Sequence, residues 1–235
     1  MKYRYIQIFS FLVALLSFSI FSACEVDDKI NFVPESPSNG TENGHEYVDL
    51  GLSVKWATCN VGASSPEEYG DYFAWGEVEP KSSYGWSTYK YCNGYESTLT
   101  KYNYSSSYGT VDNKTTLELS DDAARANWGG SWRMPTATEL NVLRNNCTWT
   151  WTTQNGVKGY KVTSKKNGNS IFLPAAGYRF DSSPSSAGSD GYYWSSSLYM
   201  YDDPNASDYL GFNSSLVLWS LEYRFYGLSV RPVCP

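Results

Sequence analysis

The stretch Ser120-Asp121-Asp122-Ala123-Ala124-Arg125-Ala126-Asn127-Trp128-Gly129-Gly130-Ser131-Trp132-Arg133-Met134-Pro135-Thr136-Ala137-Thr138-Glu139-Leu140 holds two helix starts and one helix stop. Ser120 reads as an N-cap, with Asp121 and Asp122 in the first turn where the helix dipole favours acids. Gly129-Gly130 then stops the helix, since glycine accepts the left-handed backbone a C-terminal cap requires. The segment Pro135-Thr136-Ala137-Thr138-Glu139 is a capping box ahead of Leu140 and Leu143. Two short helices, joined by a glycine- and tryptophan-rich link, are therefore predicted.

C-terminal to the helices the period changes from helical to alternating. Trp149 and Trp151 alternate with threonines, Asn155-Gly156 is a hairpin turn, and Tyr160 and Val162 lie on the returning arm. Asn167-Gly168 turns the chain again towards Ile171 and Leu173. Residues 178–208 read as loop, and Tyr209–Phe212, Leu216–Leu221 and Gly227–Val233 as three closing strands. On the N-terminal side, Leu50, Leu52, Val54 and Trp56 alternate with polar residues as in a half-buried strand. Residues 60–115 read as long loops around short strands near Tyr72–Trp75. The order of elements predicts an α+β domain, two short helices packed on antiparallel strands with long loops.

The 235-residue chain is 41% apolar and 18% charged, enough for a packed core. Its net charge of −6, with no basic stripe after the N-terminus, argues against nucleic acid as a partner. The only histidine, His45, argues against histidine-dependent catalysis and histidine-ligated metal sites. Residues 1–23 read as a signal peptide: Lys2 and Arg4 precede an apolar run that ends in Ser22-Ala23 before Cys24. That ending resembles a lipobox, which implies lipidation at Cys24, a membrane anchor through the N-terminal lipid and an outer-membrane location. Asp27 and Asp28, just after the cysteine, resemble the surface-export signal of Bacteroidetes lipoproteins. Residues 24–45, with Pro34, Pro37, Gly40 and Gly44, read as a flexible tether, and residues 46–235 as one domain.

Trp128–Thr136 with Glu139 resembles the "WRLPTxxE" stretch of the formylglycine-generating-enzyme-like branch of C-type lectin folds. Tyr193-Trp194-Ser195-Ser196-Ser197 and Gly227–Val233 resemble closing motifs of that branch, and Val48–Ala57 completes a likeness to the Fibrobacter succinogenes major paralogous domain. The resemblance implies a C-type lectin-like fold over about residues 46–233. On the residues themselves, Arg133 beside Pro135 reads as a guanidinium fixing a loop against the second helix, and Arg231 as a clamp on the final strand.

The oxidase of that branch needs a reactive cysteine pair. Cys59, Cys92, Cys147 and Cys234 show no Cys-x-x-Cys spacing, and both disulfide pairing and free buried thiols fit the sequence. Asp202-Asp203-Pro204-Asn205 with Asp208 resembles half of the calcium-binding signature of sugar-binding lectins, but the strand that would complete it reads Leu218-Trp219-Ser220. No paired carboxylates stand out for glycoside hydrolysis, and no cofactor is implied. Residues 178–226 combine eight tyrosines with Ser, Asp, Asn and Gly, the composition of a paratope. The layout also resembles the target proteins of diversity-generating retroelements, which implies contacts from Tyr199, Tyr201, Asp202, Asp203, Asn205, Asp208, Trp219, Glu222, Tyr223 and Phe225. The expectation is a non-enzymatic surface module that binds an extracellular protein or glycan. The rivals are a structural or accessory subunit of a surface assembly and an extracellular enzyme.

Overall fold

A computed structural model describes residues 39–235. The signal segment, Cys24 and the first part of the tether lie outside the described residues. The remainder is a mixed α+β structure with few helices and mostly antiparallel strands: β1 (Gly40–Glu42), β2 (His45–Val48), β3 (Lys55–Ala57), α1 (Ala123–Trp128), α2 (Ala137–Asn146), β4 (Cys147–Gln154), β5 (Val157–Ser164), β6 (Ser170–Pro174), β7 (Tyr178–Phe180), β8 (Ser183–Ser185), β9 (Asp190–Leu198), β10 (Ala206–Asn213), β11 (Leu216–Tyr223) and β12 (Val233–Cys234). They form four small sheets in the orders β1-β2-β3-β12, β4-β5-β6, β7-β8 and β11-β10-β9. No helix among the described residues is long and apolar enough to cross a membrane.

The helical segment follows the capping logic with one displacement. Thr136 and Glu139 form the reciprocal box at the start of α2, as expected, and Gly129 ends α1 with φ +65°. The cap of α1, however, is Asp122 and not Ser120: its carboxylate accepts from Arg125 N at 3.0 Å and from Met134 N at 2.8 Å. The start moves because Leu119–Asp121 is a separate 3-10 turn, whose Asp121 is engaged by the Tyr102 hydroxyl at 2.7 Å. Arg133 meets the Glu139 carboxylate with two nitrogens at 2.7 and 2.6 Å, tying the link to the first turn of α2. Arg231 is buried and donates to Ala57 O, Thr58 O, Phe172 O and Asn60 Oδ1, so one guanidinium just before the last strand joins two chain segments, residues 57–60 and β6.

The tether reading fails at its C-terminal end. Asn43-Gly44, with φ of +44° and +83°, turns β1 into β2, a hairpin packed on the glycine-tryptophan link. His45 stacks on Trp128 at 3.9 Å, and Trp132 Nε1 donates to Glu42 O at 2.7 Å. The strand expected over Leu50–Trp56 is reduced to Lys55–Ala57, because residues 51–54 bend while Leu50 and Val54 still turn inward. The segment 178–208, expected to be loop, contains β7, β8 and β9. Two of its aromatic residues pack inside: Trp194 Nε1 donates to Phe73 O and Tyr193 Oη to Pro174 O, both at 2.8 Å. Of the expected strand Gly227–Val233 only the end is strand, and the rest is held by single bridges such as Leu228 to Phe73.

Two apolar cores result. One gathers Trp75, Trp132, Trp194 and Leu228 beneath the long loops. The other lies between α2, the β4-β5-β6 sheet and the inner face of β10, around Leu140, Leu143, Val162, Leu210 and Phe212. The second core positions the site, because it sets α2 across the β9-β10-β11 sheet.

Candidate functional site

Successive residues of a strand point to opposite faces, so the β10–β11 register decides which candidates can meet. Leu210 lies opposite Trp219 and Asp208 opposite Leu221, which puts Asp208, Trp219 and Leu221 on the face turned towards α2. Between that face and the helix runs an open groove of about 630 Å3, lined by Thr138, Asn141 and Arg144 of α2 and by Tyr199, Tyr201, Asp208, Trp219 and Leu221. Tyr199 and Tyr201 lie with ring centroids 5.3 Å apart, and Tyr201 is 86% exposed. Asp202 stands beside the Tyr199 phenol, and both Asp202 and Asp203 lie close to the phenol of Tyr104.

Asp208 is the chemically unusual member. Burial pushes its carboxyl up to about 6, and the Trp219 indole N–H offsets only part of that effect. Among the described residues no basic side chain forms an ion pair with it. β11 is the outer strand of its sheet, so Trp219 sits where a ligand has access from the side.

The remaining candidates do not join this groove. Glu222 lies opposite Ser207 on the other face of the sheet, near Tyr209 and Tyr226, where burial raises its carboxyl. Tyr223 belongs to a separate aromatic patch with Trp86 at 6.0 Å and Phe225 at 5.9 Å. Two assignments need correcting. Asn205 is 2% exposed and Phe225 is 6% exposed, so neither presents its side chain to a ligand. Phe225 is enclosed by Trp86, Phe180, Tyr223 and Tyr226, while Asn205 is closed in where the loop enters β10. The single contact face expected from the sequence is therefore divided: alternation sends Glu222 to the other face, packing on Trp86 and Phe225 draws Tyr223 away at the strand end, and Asn205 and Phe225 are buried.

Sequence reasoning missed the helix side of the groove. Thr138, Asn141 and Arg144 recur every three residues on α2, a spacing that aligns them along one side of a helix. That polar row was the available signal. Among the described residues no group of three or more His, Cys, Asp or Glu side chains is placed to hold a metal ion, so the acids of 202–208 do not converge. Cys59, Cys92, Cys147 and Cys234 are all unpaired, and burial raises the thiols of Cys59, Cys147 and Cys234. The chain matches no protein-family model, no curated protein and no solved structure at a significant level.

Proposed function

We propose that this chain is a non-enzymatic binding module on a C-type lectin-like scaffold, carried by an exported, lipid-anchored lipoprotein of the outer membrane. Its ligand is an extracellular protein or glycan, taken in the groove between α2 and the β10–β11 hairpin. The observation that carries this reading is the convergence of Tyr199, Tyr201, Trp219 and a half-buried Asp208 on one open groove. Aromatic rings give rigid contact area at low entropic cost, and a few polar groups fix orientation. The WRMPT segment and its capping box, together with the YWSSS and GLSVRPV stretches, support the scaffold assignment. The lipobox-like Ser22-Ala23-Cys24 supports the anchor.

The test is a screen of the purified chain against glycans and surface proteins, followed by Tyr201→Ala and Trp219→Ala. Loss of each hit in both variants, with an unchanged circular dichroism spectrum, is the expected result. Hits indifferent to both substitutions would remove the groove from the function. A second reading, a subunit of a surface assembly, is favoured by the free edge of β11. That edge runs eight residues, carries one charge (Glu222) and exposes Leu216, Leu221 and Tyr223. Such an unprotected edge is open to strand addition. Self-association in sedimentation experiments, abolished by Leu218→Pro, would favour that reading.

A further inference from the structure

We infer that the groove recognises a cation, specifically the ammonium group of a lysine side chain on a partner protein, held by Asp208 within the rings of Tyr199, Tyr201 and Trp219. The inference rests on the groove being the binding site and names the chemistry of its ligand.

Three observations lead to it. First, the aromatic side chains and the carboxylate share one lining, and ring faces attract cations in the way a carboxylate does. Second, Asp208 has the Trp219 indole N–H to set against the cost of its burial, and among the described residues no basic side chain forms an ion pair with it. A half-buried carboxylate without a counter-ion is stabilised by a ligand that supplies one, whereas a neutral sugar hydroxyl leaves the charge in place. Third, the mouth is acidic: Asp202 lies beside Tyr199, and Asp203 follows it next to Tyr104.

The opposing group is Arg144 on α2, which lines the same groove. It forms no ion pair with Asp208. Six residues separate Arg144 from Thr138, which at about 1.5 Å per residue puts it roughly 9 Å further along the helix. From α2 it can meet a carbonyl or carboxylate of the same partner while Asp208 holds the ammonium.

Ionisation of Asp208 gives the interaction a pH signature. The groups that line the groove with it are Tyr199 and Tyr201 from the loop after β9, Arg144 from α2 and Trp219 from β11, while Asp202 lies beside Tyr199 and Asp203 near Tyr104. Burial brings the Asp208 carboxyl up to about 6, inside the range between pH 5 and 7.5. The lysine ammonium stays charged throughout that range.

The experiment follows the Trp219 indole N–H by nuclear magnetic resonance in the purified whole chain, its signal assigned with Trp219→Phe. Three probes are titrated: Nα-acetyl-lysine methylamide, its norleucine analogue lacking the ammonium, and methyl glucoside. The expected result is a response to the lysine probe alone at pH 7.5, weakening about tenfold at pH 5 as the carboxyl is protonated. Asp208→Asn should abolish it, and Tyr201→Ala, at a site 86% exposed, should weaken it without affecting the fold. An equal response to norleucine, or a response to methyl glucoside alone, overturns the cation assignment and leaves the groove as the binding site. No response to the lysine probe also overturns it. If screen hits in addition bind independently of Tyr201 and Trp219, the groove reading falls as well.

Discussion

Replacing Asp208 by asparagine should make the protein more stable at neutral pH, an unusual outcome for a residue proposed to serve function. The side chains have the same shape, and the amide oxygen can still face the Trp219 indole. What changes is the ionisable proton. In the unfolded chain the carboxyl ionises near its ordinary 3.8, whereas in the fold it ionises at about 6. The folded state therefore holds a proton that unfolding releases between these values. Stability is full below pH 4, falls as pH rises towards 6, and stays reduced above it. At about 1.4 kcal/mol per pH unit the full difference is roughly 3 kcal/mol. The groove is open to water, so screening should leave about 1–2 kcal/mol. Urea unfolding followed by far-ultraviolet circular dichroism, at pH 7.5 and at pH 4, checks this. The variant should gain about 1–2 kcal/mol over the parent at pH 7.5 and little at pH 4. Other shifted carboxyls, such as Glu222 and Asp122, titrate in both proteins and cancel in the difference. An equal effect at both pH values, or a loss at pH 7.5, would refute the reasoning, since the carboxyl would then not be held uncompensated by burial. Stability given up at a binding site is what functional preorganisation predicts.

Other consequences are equally direct. Arg231→Lys keeps the charge but replaces a planar fork serving four acceptors with a point donor, so it should cost on the order of 3 kcal/mol in urea unfolding. A change below about 1 kcal/mol would show that the clamp is dispensable. Gly109→Ala should be as damaging: its Cβ would fall 2.2 Å from Leu99 O at a φ of +126°, and a drop in melting temperature would report it. Native protein should react slowly with a thiol reagent at Cys92, Cys147 and Cys234, which are buried, and all four domain thiols should react in denaturant without prior reduction. Thiols that appear only after reduction would mean that disulfides form.

Local signals made much of the fold legible. The capping box at Thr136 and Glu139, the glycine stop at Gly129 and the Asn155-Gly156 hairpin depend on a few neighbouring residues, and each is found where those residues put it. Errors fell where long-range packing overrode local character. Tyr193 and Trp194 sit in a polar, glycine-rich stretch that resembles a loop, yet both are buried in β9, where distant backbone carbonyls accept from the Tyr193 hydroxyl and the Trp194 indole N–H. The Asn43-Gly44 turn was readable, but the prolines and glycines around it suggested a tether, and only packing against Trp128 and Trp132 makes the hairpin part of the domain.

The site divides in the same way. By itself the sequence determined that residues 178–226 combine eight tyrosines with Ser, Asp, Asn and Gly, because composition needs no coordinates. Which of them meet was decided by tertiary structure alone. The β10–β11 register sends Trp219 and Leu221 to one face and Glu222 to the other. Burial withdraws Phe225 and Asn205, and the packing of α2 brings Thr138, Asn141 and Arg144 to the groove. The reason is physical: a strand's alternation fixes which residues share a face, but only the core it packs against decides which face is left open to a ligand.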